Sequence, residues 1–519
     1  MKIVTVEEMR RLDAACATQM GIPTAMLMEN AGRAVAEKAR DALGGDVAGV
    51  PVLVLVGPGN NGGDGLVAAR YLQEWGAEAT AYLVAARKPD DPNLNLCYVN
   101  NVIVLEASSD PGLERLRSEL SRSQLVIDAV LGTGHLRPLE GAVRDAMSLT
   151  WRERQRRHDL TLLALDIPTG MDADTGAVDE ATPFFDLTVT LAYPKHGLFR
   201  FPGAAHIGRL EIADIGIPPQ LAEDIKTELV TAQWASERLP VRPLDSHKGT
   251  FGRLLIVGGS RNYVGATALA AEAAYRVGAG LVTVAAPESI YPVLAASVKE
   301  ATHLPLPEAE TGHIGVEAVL VVREALTQYD ALVVGCGIGQ HPMTKAFLDR
   351  LLLDVPNATL PLLVDADGLT HLAHIPGWPE RLAWPTVLTP HPGEMARLTG
   401  SSTRDVQADR LATARLWASR WGHAIVLKGA YTVIVSPDGR AMVSPFANPA
   451  LASAGTGDVL AGAIGGLLAQ GMKPFEAAAC GVYLHAAAGD MVREETGDAG
   501  LLARDLLPRL PEVIHNIRI

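Results

Sequence analysis

The sequence predicts two α/β domains, each a mainly parallel sheet covered by helices on both faces. Three observations carry this. From residue 50 onward, short β-branched apolar runs alternate with longer segments of helical spacing, the mark of repeated strand–helix units. The runs are apolar at nearly every position, as in strands buried on both faces. The chain is also long, with 519 residues, 48% of them hydrophobic, which exceeds one ordinary domain.

In chain order, "VPVLVLVG" (50–57) reads as a strand and "DGLVAARYLQEWG" (64–76) as the helix after it. "SQLVIDAVLGTG" (123–134) and "LTLLALDIPTG" (160–170) are strands ending in an acidic residue and a glycine turn. "DLTVTLAYPKHG" (186–197) and "GRLEIADIGIPP" (208–219) complete the first half. The texture then changes to a proline-rich polar stretch without a strong strand, so the expected layout is a first domain over 1–216, a linker over 217–235 and a second domain over 236–519. The second half restarts with "GRLLIVGGS", followed by "GLVTVAAP", "DALVVGCGIG", "LPLLVDADGL", "PTVLTPHPGE" and "HAIVLKGAYTVIV". No fixed-period repeat joins the halves. In such sheets ligands lie at the carboxyl ends of strands, where these glycines and acids fall.

Composition narrows the function. A formal charge of -14 disfavours a nucleic-acid partner, and the one basic run, "WRERQRRHD" (151–159), reads as a solvated helix end. Four cysteines, Cys16, Cys97, Cys336 and Cys480, lack paired spacing and are expected to be structural and buried. Neither a signal-peptide core nor a membrane-length apolar run is present, so a cytoplasmic protein without membrane contact is expected. Aromatics are only 5% of the chain, which leaves packing to small aliphatics.

Two glycine stretches frame the chemistry. "GNNGGDG" (59–65) places two amides and a carboxylate at a helix start, where backbone N–H groups favour an anion. With Asp128 and Thr169 at the next strand ends, Asn61 completes an oxygen set suited to a hard cation. "SAGTGDVLAG" (453–462) bares backbone donors ahead of a helix. The field there favours a phosphate or oxyanion and is expected to keep Asp458 ionised, able to take a proton from a hydroxyl. "LKGAYT" (427–432) offers a lysine and a glycine turn for phosphates. His391 and Glu394, three apart at a helix start, read equally as a structural pair or as ligands to a bound Mg2+ and its water.

The motifs "GNNGGDG", "DAVLGTG", "DIPTG" and "YPKHG" resemble the NAD(P)H-hydrate epimerase family. "HKGTFGRLLIVGGS", "GCGIG", "VDADGL", "TPHPGE", "LKGAYT" and "SAGTGDVLAG" resemble the NAD(P)H-hydrate dehydratases, relatives of ribokinase-like kinases. The resemblance implies a Rossmann-like three-layer sandwich followed by a ribokinase-like one, acting on hydrated NADH and NADPH. Carried over by motif, Asn60, Asn61, Gly62, Gly63 and Asp64 would bind substrate, with Gly132, Thr133, Gly134, His135, Leu136, Arg137 and Pro138. Asn61, Asp128 and Thr169 would hold potassium, and Asp166 would contact the hydrated ring as the epimerase acid or base. In the second half Ala266, Gly337, Gly339, His391 and Asp458 would face substrate. Lys428, Gly429, Ala430, Tyr431, Thr432 and Gly457 would bind ADP (or ATP) with Mg2+, and Asp458 would be the catalytic base.

Three departures stand out: Thr169 where the family commonly has serine, "GCGIG" for "GPGLG", and Thr370 for asparagine. None removes a charged group. The resemblance implies ADP as donor and a homo-oligomer. The rival reading is a ribokinase-like vitamin or sugar kinase with an N-terminal nucleotide-binding sensor module.

Overall fold

The computed structural model describes residues 1–133, 138–353, 355 and 358–518. Two compact units divide between Ile225 and Lys226. Gly134, His135, Leu136 and Arg137 lie outside the described residues.

The first unit is a seven-stranded parallel sheet. Its strands are β1 (Pro51–Val56), β2 (Glu78–Leu83), β3 (Ile103–Glu106), β4 (Leu125–Ala129), β5 (Thr161–Leu165), β6 (Leu187–Leu191) and β7 (Arg209–Ala213), in the order β3-β2-β1-β4-β5-β6-β7. Strand order reverses between β1 and β4, which creates the crevice where such sheets bind ligands. β1 shows why this sheet forms. Val52, Val54 and Val56 enter one hydrophobic cluster while Leu53 and Leu55 enter another on the opposite face. Three helices complete the site's frame: α1 (Val6–Gln19), α2 (Thr24–Ala42) and α3 (Asn60–Glu74). A capping box from Thr5 and Glu8 starts α1. Gly57, after β1, is required by the close crossing, since a methyl group there would collide with the Val130 carbonyl.

The second unit has a ten-stranded sheet and a small two-stranded ribbon. Its strands are β8 (Thr227–Leu229), β9 (Arg253–Val257), β10 (Leu281–Pro287), β11 (Thr302–Leu306), β12 (Glu308–Glu310), β13 (His313–Ile314), β14 (Ala331–Val334), β15 (Leu362–Val364), β16 (Thr386–Leu388), β17 (Ala424–Leu427), β18 (Val433–Val435) and β19 (Ala441–Val443). The order is β11-β10-β9-β14-β15-β16-β17-β18-β19-β8, with β12 and β13 forming the ribbon. Pairing is parallel from β11 to β17, turns antiparallel through β18 and β19, and is parallel again at β8. Leu254 and Ile256 of β9 face one cluster, Leu255 and Val257 the other. Here the order reverses between β9 and β14.

The expected linker over 217–235 differs from what forms. Ile217, Ala222 and Ile225 are buried in the first core. Residues 227–229 are β8, paired with β19, and the helix Ala232–Ser236 follows. A three-residue strand between prolines is too short to register as a periodic pattern. All four cysteines are buried and free. No described helix is long and apolar enough to cross a membrane.

Candidate active sites

At the first switch point, β1, β4 and β5 each end in an oxygen-bearing side chain or lead directly to one. Asp128 closes β4 and is 1% exposed. Its carboxylate accepts hydrogen bonds from the Thr169 N–H (2.8 Å), the Thr169 hydroxyl (2.7 Å) and the Val130 N–H (3.2 Å). Even so, burial pushes it up to about 6, because no cation among the described residues answers its charge. The Thr169 oxygen also accepts from Leu131 N–H at 3.0 Å and keeps one lone pair. Asn61, on the first turn of α3, has a buried amide nitrogen without a partner, and a methyl group on Gly132 would stand 3.4 Å from its Oδ1. The structure thus brings Asn61, Asp128, Thr169 and Gly132 into adjacent strand ends as an oxygen set without its cation.

Asp166 follows β5 in a left-handed conformation, φ 70°, which a non-glycine residue adopts at a cost. Its Oδ1 is held by the Lys195 ammonium (2.5 Å), the Leu191 N–H (3.0 Å) and the Thr190 hydroxyl (3.2 Å). Lys195 is 1% exposed, a fully desolvated partner. Asp64, on α3, is 8% exposed. Burial, with the negative charges of Asp166 and Asp13, holds its carboxyl well above the usual range against Arg87 and Lys195.

The second switch point gathers a different set. The Lys428 ammonium, at the end of β17, pairs with Asp365 after β15 at 2.7 Å and approaches Glu394 at 3.9 Å. Burial alone would lower this lysine, but Asp365 and Glu394 outweigh it and hold it above its ordinary value. The Thr389 hydroxyl donates to the same Asp365 oxygen at 2.6 Å. Ligand atoms of Cys336, Asp365 and Asp458 lie within 4.8 Å of one another. Asp458 begins the helix Thr456–Ala469 behind Gly455, which is in the left-handed region, φ 88°. The sequence expectation that it stays ionised is not met: burial, then Asp365, push it up to about 7. Nor does it stand alone, since Cys336 and Asp365 share its pocket.

A cavity of about 220 Å³ opens beside it, lined among others by Lys428, Gly429, Ala430, Thr432, Thr456 and Gly457. His485 closes one wall, its ring donating to the Thr456 carbonyl at 2.9 Å, and burial lowers it to about 4.

Two family models match the chain in order: "YjeF-related protein N-terminus" over residues 24–197 and "NAD(P)H-hydrate dehydratase" over 254–512. The bifunctional NAD(P)H-hydrate repair enzyme Nnr of Moorella thermoacetica is 41% identical, covering 100% of this chain and 97% of its own. Its counterparts from Thermofilum pendens and Escherichia coli are 38% and 35% identical, with 100% and 98% of this chain covered and 97% and 93% of theirs. The chain belongs to the bifunctional NAD(P)H-hydrate repair enzymes. A solved ADP/ATP-dependent NAD(P)H-hydrate dehydratase from Bacillus subtilis is 33% identical over 56% of this chain and 98% of its own, with a TM-score of 0.48.

Within this repair-enzyme chain, the motif-derived positions fall into two groups by unit. Asn60 to Asp64 form the start of α3, and Thr133 reaches α1, its carbonyl accepting from Arg10 at 3.4 Å. Pro138 is exposed at the far side of that loop. Gly337 lies against Ala266, where a methyl group would come within 2.8 Å of the Ala266 side chain, and Gly339 follows on the same loop. His391 is an N-cap. Its Nδ1 accepts from Gly393 N–H at 3.0 Å, and Glu394 closes the capping box through the His391 N–H at 2.8 Å. Of its two readings from sequence, this geometry gives the ring a structural task, while Glu394 faces Lys428. Tyr431, φ 52°, does not line the cavity its neighbours share. Thr370 accepts from Arg397 at 2.8 Å.

Sequence reasoning missed Lys195 and Asp365. Both were inside quoted motifs, "YPKHG" and "VDADGL", and both carried a signal: a charged residue within or beside an apolar strand end. Cys336 is buried as expected, but beside two carboxylates rather than in a purely apolar core.

Proposed function

We propose that the chain restores hydrated NADH and NADPH to the reduced cofactors in two steps, epimerisation in the first unit and nucleotide-dependent dehydration in the second. The observation that carries this is the pairing of two unlike sites on one chain. One is a buried oxygen set with an ion-paired carboxylate; the other is a carboxylate at a helix start beside a lysine-lined cavity. Their order along the chain is that of the family's two halves.

In the first unit, Asn60 to Asp64 and Gly132 to Pro138 bind the nucleotide of the substrate. Asn61, Asp128 and Thr169 would hold potassium, and the unanswered charge of Asp128 with the spare oxygens fits a hard cation. Such an ion supplies positive charge next to a bound phosphate. Asp166, its Oδ1 occupied by Lys195, presents its other oxygen to the hydrated ring, so that both epimers reach the hand the second site accepts.

In the second unit, Ala266, Gly337, Gly339 and His391 border the hydrated ring. The cavity beside Lys428 to Thr432 and Gly457 takes ADP. Asp365 and Glu394 carry more negative charge than Lys428 neutralises, which suits Mg2+, and that ion would screen the phosphates. Asp458 removes the proton of the ring hydroxyl as its oxygen attacks the terminal phosphorus of ADP and AMP leaves. Phosphate is a better leaving group than hydroxide. The ring nitrogen's lone pair expels it, loss of a proton from the adjacent carbon restores the double bond, and the S epimer becomes NAD(P)H. A vitamin or sugar kinase would instead accumulate a stable phosphorylated product.

The test is incubation of the purified chain with separated R and S hydrates, with and without ADP. Reduced-nicotinamide absorbance should return from both epimers only with nucleotide, and epimers should interconvert without it. Failure to regenerate NADH from either epimer overturns the reading.

A further inference from the structure

The hydroxyl-bearing ring carbon is bonded to the ring nitrogen, so its inversion resembles chemistry at an acetal carbon. If water departs from one face and returns to the other, one group must protonate the leaving hydroxyl and another must deprotonate the incoming water. Two carboxyl groups handling water across a sugar ring in this way stand ~6.5–9.5 Å apart. Asp166 alone cannot serve both faces.

We propose that Asp64 is the second acid–base group of epimerisation, standing opposite Asp166 across the bound ring. This rests on the epimerase reading of the first unit. The two residues follow β5 and β1, the strands on either side of β4. At ~4.8 Å per strand spacing their strand ends are about 10 Å apart, room for a ring and a water. Gly65, next to Asp64, packs against Ala129 so closely that a methyl group would collide with it. Asp64 is thereby held beside the end of β4, facing the crevice.

The two carboxyls are provided for in opposite ways. Asp166 has one oxygen saturated by Lys195, Thr190 and Leu191, which favours the carboxylate. Asp64 is 8% exposed, and no hydrogen bond or ion pair joins its carboxyl to any described residue. A dry, unpartnered carboxyl is a proton donor. The charged groups acting on it are Asp166, Lys195, Arg87 and, from α1, Asp13. The unpartnered amide nitrogen of Asn61, one turn earlier on α3, also marks this crevice as built for a ligand.

The step balances. Asp64 gives its proton to the ring hydroxyl, the carbon–oxygen bond breaks with its pair on oxygen, and water leaves as the nitrogen lone pair forms a carbon–nitrogen double bond. Water on the other face adds to carbon, the double-bond pair returns to nitrogen, and Asp166 takes the released proton. A substrate of the opposite hand then runs the cycle backwards and resets both groups.

The test uses the full chain in oxygen-18 water without nucleotide. The wild type should place one labelled oxygen on the ring per inversion. Asp64→Asn and Asp166→Asn should each lower the epimerisation kcat by ~10²-fold or more with KM little changed, while Asp13→Asn epimerises normally. ADP-dependent dehydration of the S epimer by Asp64→Asn at the wild-type rate certifies its fold. Retention of the original oxygen, an unimpaired Asp64→Asn, or an Asp13→Asn as defective as Asp64→Asn overturns the proposal. Absence of interconversion by the wild type overturns the functional reading itself, and this proposal with it.

Discussion

At Asp458 two effects oppose each other. The helix start favours its charge by ~0.3–1 kcal/mol, up to ~2 in partly buried geometry. Burial beside Asp365 works against that charge, and a carboxyl at about 7 corresponds to roughly 4 kcal/mol in the other direction. Burial wins. Because a base must be ionised to accept a proton, dehydratase kcat/KM of the free enzyme should be full above about pH 7 and fall ~tenfold per unit below it. A profile flat down to pH 5 would remove Asp458 as the base. Asp458→Asn should lower dehydration by ~10²–10⁴-fold and leave epimer exchange untouched, read in parallel on one preparation. The sequence displayed the helix start and the carboxylate but not the depth of the pocket, and so led to the wrong charge state. Asn61, Asp128 and Thr169 were legible because each sits in its own glycine turn at a strand end. Lys195 and Asp365 were not, because what distinguishes them is a partner 29 and 63 positions away.

Among the elements, the helix Thr456–Ala469 is set by what it lacks. Gly462 lies against the helix Val264–Arg276 so tightly that a methyl group would strike the Ala270 carbonyl. Gly462→Ala should force the helices apart at a cost of ~1–3 kcal/mol. For a unit of this size that lowers its Tm on the order of 5 °C, which calorimetry would register, and dehydration should decline with it since Asp458 rides on the same helix. An unchanged Tm would mean the helices can separate freely. Strands such as β1 and β9 were readable from unbroken apolar runs. β2, "EATAYL", and β8, "TEL", were not. Their mixed residues acquire strand structure from neighbours already in the sheet, which is a tertiary effect.

At the scale of the whole molecule, every described core cluster lies within one unit. A chain cut at the division should therefore give two fragments that each fold. Residues 2–225 should interconvert the epimers, and residues 226–519 should dehydrate the S epimer alone. Inactivity of both well-folded fragments would mean that the chemistry needs the halves joined. The position of the cut matters because of β8, the outermost strand of the ten-stranded sheet. A fragment beginning at residue 236 would strip it away and leave the hydrogen-bonding edge of β19 bare, an invitation to pair with another copy. That shorter fragment should elute as large aggregates in size-exclusion chromatography where the longer one stays dispersed. The stretch that reads as a tether is thus a selvedge, the finished border that keeps the fabric from fraying into its neighbours.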